Sequence, residues 1–309
     1  MEYIGSVKFD LVDLESWTTA SSTNGHMGRP SISQLVEEIV AFKKRYDDLS
    51  PYARSQFRSV LDEMTVEFVY KTNIGESVGI VSEDGTREVI SDYRNHGVNQ
   101  VKENNERTET VNVYRALEYV SELREEMEKT GKVTVQQICE IHRVLMHGLR
   151  EDAGEIRKHD VYTLSGKGRE VHFYPESVIA EQIFYACVDH HCIQMSQFTS
   201  GTLSAKTIEF IFKRAARLLF DFVDAHPFGD GNGRTCRLLA NYVISLITPF
   251  PVAPSYGQGE EIKNNYLKAI IECRDHRDKG PGALASMLIE DTWRGWKRLF
   301  ESIDHNIRD

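Results

Sequence analysis

His226-Pro227-Phe228-Gly229-Asp230-Gly231-Asn232-Gly233-Arg234-Thr235-Cys236-Arg237 packs three glycines, two arginines and a carboxylate into twelve residues. Gly231, Asn232 and Gly233 tolerate the dihedrals that turn successive N–H groups to one side, the makings of an anion nest. A helix starting at Gly233 or Arg234 points its positive end at the same spot. Arg234 and Arg237, three apart, share one face of its first turn, where only an anion or acidic partners explain two guanidiniums. Asp230 suits Mg²⁺, which takes a carboxylate together with phosphate oxygens. His226 closes the preceding helix, and an imidazole titrating near pH ~6.5 suits a general base. Phe228 is the apolar pin of the loop. A Walker loop needs Gly-Lys-Ser/Thr after the glycines, where Arg234-Thr235 stands. An EF-hand opening at Asp230 needs an oxygen ligand at its fifth position and Glu at its twelfth, where Arg234 and Asn241 stand.

This segment resembles the Fic family signature, His-x-Phe-x-(Asp/Glu)-Gly-Asn-Gly-Arg-x-x-Arg, with every specified position met. Eight constrained positions at ~5% usage each put a chance match on the order of 10⁻¹⁰ per window. The resemblance implies a helical Fic fold and transfer of AMP from ATP to a Ser, Thr or Tyr hydroxyl of a protein. By it, His226 deprotonates the hydroxyl and Asp230 holds Mg²⁺. Gly231, Asn232 and Gly233 cradle the α- and β-phosphates with Arg234 nearby, and Arg237 takes the γ-phosphate. Ala153-Gly154-Glu155-Ile156-Arg157-Lys158 is similar to the family's approach to its flap, a hairpin that pairs main chain to main chain with the target. That assigns Thr163, Leu164, Val171 and His172 to target docking. Tyr266 resembles the tyrosine closing the base pocket, with a half-buried packing tyrosine as the alternative.

Upstream, Thr72-Asn73-Ile74-Gly75-Glu76-Ser77 resembles the family's inhibitory motif, (Ser/Thr)-x-x-x-Glu-(Gly/Asn). Ser77 departs from it, and so does Gly75, where an aliphatic residue is usual; Gly inside a helix costs ~1 kcal/mol relative to Ala. The resemblance implies that Glu76 pairs with Arg237 and blocks the γ-phosphate, in the class II arrangement with the inhibitory helix N-terminal to the signature. A carboxylate is the natural occupant of an empty phosphate site lined by arginine.

Working outward, periodicity predicts a mainly α chain. Residues 19–31 read as a loop. Helices are expected from Ile32, from Ser50-Pro51 through Phe68 toward Lys71, from Thr108 to Thr130-Gly131, after Thr134, over 176–195, 204–224 and Arg234–Leu246, and around Glu260–Cys273 and Gly282–Ile303. Val161–Leu164 and Glu170–Phe173 flank Ser165-Gly166-Lys167-Gly168-Arg169 as a hairpin. Residues 77–107 read as an irregular connection with a short strand at Arg87–Ile90. The fold expected is a Fic-type helical bundle with a small β-hairpin flap. The division is an N-terminal helical region, 1–105, carrying Thr72–Ser77, and a catalytic domain, 106–309, with the flap at 160–173 and C-terminal helices.

The 309 residues suit about two domains. Hydrophobic residues at 40% and charged residues at 27% are ordinary globular usage and exclude wholesale disorder. A net charge of −10 argues against a broad grip on nucleic acid but allows a local basic pocket. No apolar run approaches the ~18 residues of a membrane span, and Met1–Asp10 lacks a secretory pattern. Five cysteines without a CxxC pair read as free thiols in a reducing compartment, so a cytoplasmic location is expected. Cys187-Val188-Asp189-His190-His191-Cys192 has metal-ligand residue types, but a second ligand arm is missing, and ordinary helix residues are the better reading. The partners expected are a protein substrate and ATP, with no nucleic acid or membrane; a homodimer is admissible. Two rivals stay open: removal of AMP, with Glu76 aligning a water, and a non-catalytic nucleotide sensor held shut by Glu76.

Overall fold

The computed structural model describes residues 8–13, 30–97, 104–130, 132–165, 170–195, 203–252 and 260–306. Among these the chain forms eleven helices and one hairpin. Side-chain caps open many of them. Ser31 and Thr134 each form a capping box, with Gln34 and Gln137, at the starts of α1 (Ile32–Asp47) and α6 (Val135–Leu145). Ser50 and Pro51 start α2 (Pro51–Ser55). The expected run from Ser50 to Lys71 is broken. Gln56 and Phe57 donate to the carbonyls three residues back, and α3 (Arg58–Ile74) begins afresh. The break turns Phe57, fully buried, toward Tyr46 and Phe300.

The reading of 77–107 as irregular is overturned over 83–96, while 98–103 lie outside the described residues. Glu83–His96 is a helix, α4, and Arg87–Ile90 lies inside it rather than in a strand. Ser82 caps Gly85, Glu83 and Asp84 favour the first turn electrostatically, and Gly97 ends it at φ 70°. Its apolar face is narrow, with Val89 and Ile90 buried beside Thr86, which hid the helical period among polar residues.

After α5 (Asn105–Thr130) and α6 come β1 (Tyr162–Ser165) and β2 (Glu170–Phe173), antiparallel, with Thr163 opposite His172 and Leu164 opposite Val171. The loop read at 19–31, apart from its last two residues, and the hairpin turn at 166–169 lie outside the described residues. Helices α7 (Ser177–Met195), α8 (Ala205–Ala225), α9 (Asn232–Ile244), α10 (Glu260–Asp275) and α11 (Gly282–Asn306) complete the chain.

The centre is the α8–α9 pair. Both are buried nearly all round, from Ile208 to Ala225 on α8 and from Arg234 to Ile244 on α9. A helix buried on every face is a core element rather than a surface one. Helices α1, α7 and α11 cover α8, and α3, α5 and α6 cover α9. The loop joining the pair is the signature loop, so the fold holds its two ends on its two most buried helices. No helix among the described residues is long and apolar enough to cross a membrane.

Candidate active site

Helix α8 ends at His226, whose backbone is left-handed (φ 47°, ψ 58°). Non-glycine residues reach that region at a cost of ~1–2 kcal/mol, and such outliers concentrate at functional sites. Three contacts hold the turn. The His226 N–H donates to the Phe222 carbonyl at 3.0 Å. Its Nδ1–H donates to the Val223 carbonyl at 3.1 Å, which leaves Nε2 as the basic nitrogen. Its own carbonyl accepts from Arg157 Nε at 2.7 Å. Burial pushes the imidazole down to about 4, so the ring is neutral at ordinary pH.

Phe228 is fully buried, stacked on His142 at 3.7 Å. Asn232 clamps it reciprocally: the Phe228 N–H donates to Asn232 Oδ1 at 3.0 Å, and Asn232 Nδ2 donates to the Phe228 carbonyl at 2.9 Å. The Asn232 side chain is therefore engaged within the loop, and what it can offer an anion is its backbone N–H. Gly231 (φ 74°) caps α9, where a Cβ would meet Met146 Sδ at 2.8 Å. The N–H groups of Asn232, Gly233 and Arg234 have no intrahelical acceptor. Asp230 is exposed, with Oδ1 accepting from the Gly231 N–H at 2.7 Å.

Arg234 and Arg237 point inward from this helix end, and both are buried. Arg234 Nη1 lies 3.8 Å from Glu109 Oε1, while its Nε and Nη1 have no hydrogen bond. Arg237 Nη1 donates to the Thr72 carbonyl at 3.0 Å, and Nη2 donates to Glu76 Oε1. Thr72 thus contributes its carbonyl; its hydroxyl is buried without a partner. The Glu76 carboxylate also lies over Gly233, where its Cδ would be 2.9 Å from a Cβ.

Glu76 reaches this place from a turn rather than from within α3. The Ser77 N–H donates to the Ile74 carbonyl and the Val78 N–H to the Asn73 carbonyl, a Schellman closure with Ser77 left-handed at φ 60°. That conformation is why glycine or asparagine suits the position, and Ser77 adopts it under strain. Beyond it, the Gly79 N–H donates to Glu109 Oε2 at 2.8 Å.

The sequence reading passed over His142 and Asp224 and named Arg157 only within the stretch that resembles the approach to the flap. His142 donates from Nε2 to the Asp230 carbonyl (2.9 Å) and accepts the Gly154 N–H at Nδ1 (2.9 Å). Arg157 gathers the carbonyls of His226, His159 and Pro175. Asp224 accepts from Arg274 (2.9 Å) and Arg277 (2.5 Å) and lies 4.0 Å from His172. The stretch Ala153-Gly154-x-x-Arg157 was the signal for Arg157, and His142 and Asp224 carried none. In the hairpin, Thr163 and His172 are half-buried, whereas Tyr162, Val171 and Phe173 are exposed on the opposite face. Tyr266 is buried on α10 beside the Cys236 thiol of α9. In the Cys187–Cys192 segment, His191 is buried and its Nδ1 accepts from Arg214 at 2.9 Å.

The Fic/DOC family model matches residues 132–244. A Fido domain-containing protein of Dictyostelium discoideum is 35% identical over 120 residues, 38% of this chain and 73% of that protein. The protein adenylyltransferase Fic of Nematostella vectensis is 27% identical over 230 residues, 72% of this chain and 48% of that protein. A crystal structure of a Fic domain containing signaling protein from Bacteroides thetaiotaomicron superposes with a TM-score of 0.66 at 19% identity, covering 86% of this chain and 95% of that one, which shows the shared fold. The chain belongs to the Fic/DOC family. It spans less than half the length of the curated adenylyltransferases it matches.

Proposed function

We propose that the chain is a protein adenylyltransferase, moving AMP from ATP to a hydroxyl of a protein acceptor, restrained by Glu76. The observation that carries this reading is the Glu76 carboxylate seated at the N-terminus of α9 on Arg237: an anion already sits where the phosphate chain would. The neutral His226, with Nε2 as its basic nitrogen, stands at the other end of the same loop.

In the reaction, His226 Nε2 takes the proton of the acceptor hydroxyl as its oxygen attacks the α-phosphorus. The bond from that phosphorus to the bridging oxygen breaks, and pyrophosphate leaves. The N–H groups of Asn232, Gly233 and Arg234 and the two guanidiniums stabilise the charge that develops. The buried Nε and Nη1 of Arg234, without hydrogen bonds in the protein, fit an incoming phosphate. The exposed Asp230 carboxylate fits Mg²⁺, which when bound neutralises phosphate charge. Tyr266 is assigned to the base pocket by resemblance alone, and the hairpin backbone to acceptor docking. A second reading, hydrolytic removal of AMP, is favoured by one observation: the Glu76 carboxylate, a group able to orient water, sits at the start of α9, at the far end of the loop that begins with His226.

Intact-mass spectrometry after incubation with ATP and Mg²⁺ tests the proposal. The Glu76→Gly protein should gain AMP adducts, and the Glu76→Gly/His226→Ala protein should gain none. A Glu76→Gly protein that binds ATP yet never acquires an adduct, on itself or on lysate proteins, overturns it.

A further inference from the structure

Tyr174 follows β2 directly, and its ring stacks on His226 with centroids 3.7 Å apart and planes 17° from parallel. It is placed there from two sides. Its N–H donates to the Val161 carbonyl at 3.2 Å and closes the root of the hairpin. Around the ring, His172 meets it edge-on at 4.9 Å, and the Arg274 guanidinium lies 5.4 Å from its centroid. Arg274 is in turn fixed by Asp224, two residues before His226 on α8. The base and its stacking partner are thus braced by one carboxylate.

We propose that Tyr174 is a positioning residue: its ring covers one face of the His226 imidazole, fixes the ring plane, and transmits the seating of the hairpin to the base. The inference rests on the reading of His226 as the base. The imidazole has its Nδ1–H tied to Val223, but one hydrogen bond still permits rocking of the ring through its two side-chain torsions, and a stacked face opposes it. The hairpin root and the base then move as one body, so an acceptor strand docked on the hairpin meets Nε2 in a fixed orientation. The same ring excludes water from His226. The other charged groups that act on the imidazole are Arg157 from the loop before the hairpin, Arg274 from α10 and Glu76 from the turn after α3.

The test compares Tyr174→Leu and Tyr174→Phe in the Glu76→Gly protein, after thermal melts establish that each is folded. His226 ring protons are followed by histidine-labelled NMR from pH 3.5 to 8. With Leu, the upfield ring-current shift should vanish and the imidazole pKa should rise by about one unit or more as water reaches the ring. Automodification at saturating ATP should fall ~10- to 100-fold with KM for ATP unchanged, as misplacement of a reacting group does. Phe should restore the shift, the titration and the rate. Unchanged His226 shifts and titration in a folded Tyr174→Leu protein overturn the inference, as does an unchanged rate. If Glu76→Gly itself makes no adduct, the proposed reaction fails, and the NMR readout still decides whether Tyr174 governs His226.

Discussion

The Glu76 carboxylate rests against Gly233, its Cδ 2.9 Å from the place a Cβ would take, while the same carboxylate accepts from Arg237. Removing it and crowding it should therefore have different consequences. Glu76→Gly frees both the arginine and the helix end. If the bond is worth ~1.5–3 kcal/mol, automodification should rise ~10- to 150-fold. Gly233→Ala also displaces the carboxylate, but its methyl then occupies the anion seat, so rates should stay at or below the parental level. Radiolabelled ATP assays on both variants decide; equal rates for Glu76→Gly and the parental chain would leave Thr72–Ser77 as a connecting segment.

Arg237→Ala should weaken ATP–Mg²⁺ binding by at least about tenfold, since a charge-assisted bond is worth ~1.5–3 kcal/mol. It should also lower the melting temperature, because Arg237 is fully buried and bonds the Thr72 carbonyl. Calorimetry with unchanged affinity would count against a phosphate role.

Ser77→Gly relieves a left-handed residue in the turn that carries Glu76. We expect a gain of up to about 1 kcal/mol in stability and a lower basal rate, because the turn holding the carboxylate tightens. A higher basal rate in this variant would separate the turn from the restraint.

Burial sets the pH response. With the His226 imidazole at about 4, the rate of the Glu76→Gly protein should be flat from pH 8 to below 6 and fall only near pH 4–5. An acid limb centred near 6.5 would mean that a different group is the base. Stability follows the same sign. His226 and His142 sit at about 4 in the fold against ~6.5 unfolded, and His191 lies well below its ordinary value. The unfolded chain binds more protons between pH 6.5 and 4, so stability is full above that window and is lost as pH falls through it. The first two histidines contribute up to about 3 kcal/mol each. Asp221, raised to about 7 by burial, works the other way over about pH 4–7 and partly offsets them. Melting temperatures that rise on acidification from pH 7 to 5 would contradict this balance.

The signature loop was legible because its chemistry is local: glycines, arginines and carboxylate stand within twelve residues. The hairpin strands and many of the helices were legible from caps and period, as with Ser50 and Thr134. Helix α4 was not, since only a few of its residues face the core and the rest read as polar connection. The break at Phe57 was hidden for the opposite reason: an unbroken helical period crosses it, and only tertiary contacts with Tyr46 and Phe300 reveal it. His142 and Asp224 act through a backbone carbonyl and distant arginines, relations that leave no spacing rule in a single sequence. The left-handed Ser77 adopts, at some energetic cost, a conformation that glycine or asparagine would take more easily at that position.

Arg157 ties together the carbonyls of His226, His159 and Pro175, one before the hairpin, one after it and one in the loop. Every acceptor is main chain, so this anchor is indifferent to the side chains it binds. The strands between these roots can then change in sequence without loosening the loop beneath them, provided the His172 position keeps its inward fit. The hairpin is in that sense an exchangeable cassette on a fixed socket, and under the proposed role of the hairpin in acceptor docking, grafting strands from other family members onto it tests whether the acceptor changes with them.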